Sequence, residues 1–361
     1  MPPSRRRRSG LPGRLRFILR RIARTVPAFM MAMLGLSIVV NAALEATVRS
    51  QIVETAQGAV MGNKNLKTPE EIIAFKNEVI EGMEQSFGLD DPRWKRILDQ
   101  TYRIVRLDLG EARYDRTEFP ERSRSVRRII LQRMPHTLVL FSASTLISIF
   151  LGIALGTLMA RKPGGHLDRG SSLAAMALYG TPTWWVATFM ILFFVYTLPV
   201  FKVGALRSPV TPDGAIPQML DYLAYLALPL LTLVLVKVWS FAYLTRAMVT
   251  VPLQEDFVIA ARGRGIPEGK ILRRHGLRVA APGLTTMAAQ AFAQSIMGDM
   301  LVEKTMSRPG LGMTLFSAIM ANDVALYTGI LAVVTAVYCL SFMLLDIAYA
   351  WLDPRIGYGR T

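Results

Sequence analysis

The stretch Thr137-Leu-Val-Leu-Phe-Ser-Ala-Ser-Thr-Leu-Ile-Ser-Ile-Phe-Leu-Gly-Ile-Ala-Leu-Gly-Thr-Leu-Met-Ala160 contains no charged side chain. A helix that crosses a bilayer needs about 20 mostly apolar residues, because hydrocarbon offers the backbone no hydrogen-bond partner and only a closed helical ladder satisfies it. Residues 137–160 meet that requirement, and so do 25–44, 171–198, 222–247, 283–301 and 326–350. The chain of 361 residues is 52% apolar with a mean hydropathy of +0.34, and its apolar residues are gathered into these blocks rather than spread evenly. The fold class read from this pattern is an all-α membrane protein with six transmembrane helices. The segment 25–44 follows an Arg-rich start but is too long for a signal peptide and lacks a small-residue cleavage site, so it reads as a retained helix.

A formal charge of +16 raises the question of nucleic acid. The positive-inside rule accounts for it better, because Lys and Arg collect in the cytoplasmic loops of membrane proteins. Arg5 to Arg8, Arg14, Arg16, Arg20, Arg21 and Arg24 should hold the tail 1–24 in the cytoplasm, and six spans then return residues 351–361 to the same side. Residues 45–136 form an external region, and the basic loop 248–282 is cytoplasmic. Arg122, Arg124, Arg127, Arg128 and Arg133 crowd the outer end of the second span against this rule, from which long external regions are largely exempt. Within the external region Thr68-Pro-Glu-Glu starts a helix, with Thr68 as cap and Pro69 in the first turn. The region reads as a small, mainly helical cap.

Between the fourth and fifth spans lies Gln254-Glu-Asp-Phe-Val-Ile-Ala-Ala-Arg-Gly-Arg-Gly-Ile-Pro-Glu-Gly-Lys-Ile-Leu-Arg-Arg-His-Gly-Leu-Arg-Val-Ala-Ala-Pro282, too charged to span. It reads as helix, break, helix. Glu255 and Asp256 suit a helix N-terminus through the macrodipole, Gly265 suits a left-handed helix end, and Pro267 with Glu268 starts the next helix. Ile271 and Leu272 are apolar positions on a basic second helix. Small residues at Ala260 and Ala261 permit close backbone approach, which fits a helix laid into a partner's groove. An amphipathic helix on an anionic membrane surface has the same pattern.

On these residues the chain resembles the membrane subunits of ABC importers and, among them, the di- and oligopeptide (and nickel) permease branch. Ala260, Ala261 and Gly265 match that superfamily's cytoplasmic motif, with Ile259 where the general form has Glu. Arg274-His-Gly-Leu-Arg278 is similar to the branch's second element, although the spacing to Pro282 is one residue short. Phe87-Gly-Leu-Asp-Asp-Pro92, Leu107-Asp-Leu-Gly110, Arg308-Pro-Gly-Leu-Gly312, Asp323 and Leu352-Asp-Pro-Arg-Ile356 follow in the family's order, so the resemblance runs from Leu15 to Ile356. It implies a transmembrane pore-forming subunit whose loop, through Glu255, Asp256, Ala260, Ala261, Gly265, Ile271, Arg274 and His275, docks on an ATPase as a coupling helix and links ATP hydrolysis to alternating access. It further implies a second homologous permease in a heterodimer, two ABC ATPase subunits, an extracytoplasmic substrate-binding protein and a bacterial or archaeal cytoplasmic membrane. Di- or oligopeptide is the branch's commonest substrate, and the loop Arg308, Pro309, Gly310 becomes a candidate contact for the binding protein.

Lys237 lies within the fourth span, where an ionisable group is costly enough to be a pathway candidate, though a snorkelling lysine is the equal alternative. Gln290 and Gln294 share a helix face with Ser295 in the fifth span and either line a polar conduit or bond neighbouring helices. Asp299, Asp346, Trp184 and Trp185 suit ordinary interfacial or packing positions. His136, His166 and His275 have no metal-ligand spacing, and the lone Cys339 excludes a disulfide within the chain. No Gly-x-x-x-x-Gly-Lys-Ser/Thr loop is present to cradle nucleotide phosphates. The chain is therefore expected to carry no cofactor and no catalytic residue, with ATP and Mg on partner subunits. A stand-alone secondary transporter or channel is the alternative function; it predicts internal repeats, which the sequence does not show.

Overall fold

The computed structural model describes residues 11–63, 68–86, 89, 91–112, 124–210 and 212–352. Arg5 to Arg8, Arg122 and the segment Asp353-Pro-Arg-Ile356 lie outside the described residues. The described chain is mostly helical: α1 Leu11–Gly62, α2 Pro69–Ser86, α3 Arg93–Val105, α4 Val126–Arg161, α5 His166–Tyr179, α6 Thr183–Ile191, α7 Ala215–Thr250, α8 Asp256–Gly263, α9 Glu268–Ile271, α10 Arg278–Ser295, α11 Met300–Thr305, α12 Leu311–Met320 and α13 Val324–Leu352. Among the described residues four helices are long and apolar enough to cross a membrane, and a fifth is added if α5 and α6, bent by 103°, form one span. That bend falls where Gly180-Thr-Pro182 interrupts the expected third span: Pro182 supplies the extended residue before α6 and cannot continue α5. The expected fifth span, 283–301, falls on α10 and α11, which Gly298 separates with φ +69, and it is not among the four or five.

The chain divides into two compact units, one made of 1–130 with 318–339 and the other of 131–317 with 340–361. In the first unit α2 and α3 pack on α1. Thr68 and Glu71 form a capping box at the start of α2: Glu71 N–H donates to Thr68 Oγ1 at 3.2 Å, and Thr68 N–H donates to Glu71 Oε2 at 3.2 Å. Val48 and Ile52 on α1 are buried with Leu89, against Ile80 and Met83 of α2. Ile104 of α3 is buried with Met33 and Ala332, against Phe29 and Leu36. Glu45 fixes α3: its carboxylate accepts from Arg93 Nη2 at 3.0 Å, Arg96 Nη2 at 2.9 Å and Arg49 Nε at 3.3 Å. Those bonds, the one from Arg93 foremost, push its pKa down to about 2.

In the second unit α4 and α7 cross closely. A Cβ on Gly152 would lie 2.4 Å from Phe241 Cβ, and one on Gly156 would lie 2.3 Å from the Ala242 carbonyl oxygen. Small residues one turn apart on α4 thus let the two backbones touch, as in membrane helix pairs generally. Two hydroxyls of α4 turn back on their own helix: Ser148 Oγ donates to the Ser144 carbonyl at 2.7 Å and Thr157 Oγ1 to the Ile153 carbonyl at 2.6 Å, so these two leave no orphan donor. Asp168, buried in the first turn of α5, accepts from Arg246 Nη2 of α7 and from Gly164 N–H, each at 2.8 Å.

Two outcomes test this framework. Gly156→Leu has no room beside α7 and should cost more than about 2 kcal/mol, lowering the thermal midpoint in detergent, whereas Gly35→Leu, with nothing within 4 Å of its Cβ position, should not. Because Glu45 titrates lower when folded than when unfolded, its stabilising effect is complete above the ordinary carboxylate pKa and is lost as pH falls toward about 2. Glu45→Gln should reproduce that loss at neutral pH, seen as faster amide exchange in α3.

Candidate functional site

Below α7 the chain turns sharply at Pro252 through one 3₁₀ turn, Pro252–Gln254, into α8. Glu255 is extended and Asp256 occupies the first turn of α8, where its charge complements the helix dipole. The helix ends in a complete Schellman motif: Ile266 N–H donates to the Ala261 carbonyl at 3.3 Å and Gly265 N–H to the Arg262 carbonyl at 2.9 Å, with Gly265 left-handed at φ +73. Pro267 is the extended residue before α9, and a π-helical turn, Leu272–Leu277, leads into α10.

These short helices are held on one core. Val249, Leu253, Val258, Ala261, Ile271, Leu272, Ala280, Leu284 and Ala160 are buried together. A Cβ on Gly276 would lie 3.1 Å from Leu253 and 3.2 Å from Val249, so its lack of a side chain sets how tightly the π-helical turn lies on the end of α7. Arg262 clamps the two short helices: its Nε donates to Glu268 Oε1 at 2.7 Å. The Phe257 and His275 rings stand 5.8 Å apart.

The opposite face of α8 is open. Glu255, Asp256 and Ala260 are exposed, as are Gly265 and Arg274, while His275 is half-buried. Ala261 and Ile271 point the other way and belong to the core beneath. Phe257, which the sequence did not single out, and Ile259, noted only as the residue in place of the motif's Glu, are 46% and 58% exposed and give this face its apolar area. Helical period could not have selected them, because Phe257-Val-Ile-Ala-Ala261 is apolar on every side. What this arrangement offers is a rigid convex ridge of small and apolar side chains with charges at both ends, suited to a groove on another protein.

The other candidates are placed elsewhere in the second unit. Lys237 Nζ donates to Thr145 Oγ1 of α4 at 3.0 Å and lies 5.6 Å from the Phe141 ring, so it is held inward at the helix crossing rather than stretched toward an interface. Gln290 and Gln294 are exposed one turn apart on α10. Arg308 is 1% exposed: its Nη2 donates to the Tyr222 hydroxyl at 2.9 Å, and Gly310 is buried where a Cβ would lie 2.3 Å from the Glu303 carboxylate. Pro309 is half-buried between them. Glu303, not anticipated from sequence, accepts from Thr137 Oγ1 at 2.6 Å and from Met313 N–H at 3.0 Å, and so ties this loop to α4. Asp299 caps α11, accepting from Leu301 and Val302 N–H at 3.0 and 3.1 Å.

Residues 152–358 match the binding-protein-dependent transport system inner membrane component family, and the chain belongs to it. It is similar to the oligopeptide transport system permease protein AppB of Bacillus subtilis, 26% identical over 76% of this chain and 84% of that one. It is also similar to a putative peptide transport system permease protein of Brucella abortus, 27% identical over 78% of this chain and 85% of the other. A probable peptide ABC transporter permease protein of Sinorhizobium fredii is 26% identical over 78% and 86%. The chain is thus a multi-pass, pore-forming permease subunit, and ATP hydrolysis belongs to the ATPase subunits with which such permeases work, alongside a binding protein.

Substitution beneath the ridge and at its end should have separate effects. Ile271→Ala removes a fully buried side chain and should cost about 3 kcal/mol. Gly265→Ala retains the Schellman bonds but forces a left-handed alanine, at about 1 kcal/mol. Thermal unfolding of the purified chain should show the first loss as the larger.

Proposed function

We propose that this chain is one of two homologous permeases that form the pathway of an importer for di- or oligopeptides, and that α8 is the coupling helix seated in an ATPase groove. The exposed face of α8 carries the reading: Phe257, with the His275 ring 5.8 Å away, Ile259 and Ala260 are exposed among the described residues, on a helix whose other face is fixed to the end of α7. A coupling element must be rigidly joined to a spanning helix to transmit force, and the shared core of Val249, Leu253 and Val258 supplies that joint. The relatives, peptide permeases in each case, support the peptide class.

In this reading six spans cross the membrane, with α10 and α11 completing the fifth, and both termini are cytoplasmic. Its amphiphilic composition suits α10 to a pathway: Gln290 and Gln294 leave a polar face open to a partner permease or to water. ATP and Mg reside on the ATPases, a binding protein delivers peptide from outside, and Arg308-Pro309-Gly310 acts by shaping the outer loop from within rather than by offering the guanidinium as a contact. Lys237 lies beside Thr145 at the α4 and α7 crossing, where a change of tilt would be felt first.

Ala260 is exposed, so Ala260→Arg should fold normally while blocking close approach of a partner. Affinity-tagged wild type should co-purify with an ATPase and a second permease, and Ala260→Arg should lose the ATPase while keeping the permease. Retention of the ATPase by the variant would place docking elsewhere. Peptide uptake by cells carrying each form, with the ATPase absent as control, decides between this mechanism and ATP-independent transport.

A further inference from the structure

The first unit contains a helix whose outer face has no partner among the described residues. On α3, Ile97, Thr101 and Ile104 turn toward α1, while Trp94, Leu98, Tyr102 and Val105, spaced to share one face, are exposed, Trp94 by 65%. This helix does not lead away from the membrane. Its first turn is bound to Glu45, three residues past the apolar window Ala23–Ala42 of α1, Asn41 Nδ2 donates to Gln100, and Ile104 lies against Met33. Hence α3 runs back alongside the membrane-crossing part of α1, with its apolar stripe turned outward. The charges farther along it are compensated locally: Arg103 Nε bonds Asp99 at 2.9 Å, and the Arg106 guanidinium lies 4.3 Å from the Tyr102 ring centre.

At the start of α3 a cavity of about 550 Å³ opens between the two helices, lined by Ile38, Ala42 and Ile97 as well as by Glu45, Arg49 and Arg93. Apolar walls therefore meet a cationic rim at the end of a span. Arg93, 78% exposed, bonds Glu45 through Nη2, and Arg96 brings a further guanidinium whose Nε and Nη1 are buried without a hydrogen-bond acceptor among the described residues. Three arginines thus share the Glu45 carboxylate, with Glu84 bonded to Arg49, and the balance is positive. Arg93, Lys95 and Arg96 in the first turn of α3 gather cationic groups where the apolar window of α1 ends, Lys95 being bonded to Asp91 at 2.7 Å.

We propose that this cavity binds an anionic phospholipid, its phosphate on Arg93 and Arg49 and its upper acyl chain along Ile38, Ala42 and Ile97, while Trp94, Leu98 and Tyr102 lie in the surrounding lipid. The site is at the end of the first span remote from the Arg-rich tail, and it does not depend on which side of the membrane that end faces.

The chain, purified with the partners it carries from its membrane, is reconstituted with phosphatidylcholine alone or mixed with phosphatidylglycerol, either lipid bearing bromine on its acyl chains. The Trp94 fluorescence is obtained as wild type minus Trp94→Phe. Brominated phosphatidylglycerol should quench it about twofold more than brominated phosphatidylcholine, and Arg93→Gln or Arg49→Gln should bring the two to parity with helix content unchanged by circular dichroism. Equal quenching in the wild type overturns the anion site. Absence of quenching by either lipid means that protein covers the stripe and overturns the lipid contact. Loss of the preference on adding soluble glycerol phosphate assigns the arginines to a soluble anion instead.

Discussion

The contact of backbone on backbone between α4 and α7 is the constraint on which the second unit depends. Only glycine at 152 lets Phe241, and only glycine at 156 lets the Ala242 carbonyl, approach as they do, and several polar contacts are made beside that approach. Lys237 reaches Thr145 across the crossing, and Arg246, nine residues farther along α7, meets Asp168 at the start of α5. Buried polar groups in a membrane protein are tolerable only when partners stand within hydrogen-bonding distance. Helices held farther apart by larger side chains would leave these groups stranded.

The same helix then sets the loop below it. Val249 closes α7, Leu253 continues its inner face past Pro252, and both are buried with Val258 and Ala261 of α8 and with Ile271. Because α8 has only eight residues, it has no independent stability as a helix. Its orientation is therefore inherited from α7 through this small core, and the Arg262 to Glu268 ion pair adds little beyond alignment at such exposed positions. Force applied to its open face has one direct route, into the end of α7.

Composition alone made the long apolar spans legible, since uncharged stretches such as 137–160 have one economical fate in a bilayer. The Thr68 cap, the left-handed Gly265 and the proline before α9 were legible too, because each rests on local backbone chemistry. What stayed hidden depends on neighbours distant in sequence. Nothing near Glu303 announces that it is buried against Thr137, and nothing near Gly156 announces Ala242. Exposed Ile259 and buried Val258 are adjacent and chemically alike, so only the packing tells them apart. The sequence places the end of the first span near residue 44, where Glu45, Arg49 and Glu54 end the apolar run, yet no proline lies between there and Gly62 and the helix continues through Gly58.

That continuation has a mechanical consequence. From Ala42 to Gly62 the helix extends 20 residues beyond its apolar window, or about 30 Å at the usual rise, with α2 packed along it by Val48 and Ile52. A stiff rod of this kind converts rotation within the bilayer into translation far from it. A tilt of about 10° in the span would sweep the far end sideways by about 5 Å by the same geometry, so the projecting arm acts as a pointer whose position reports, and whose restraint would resist, the conformational cycle of the helix that carries it.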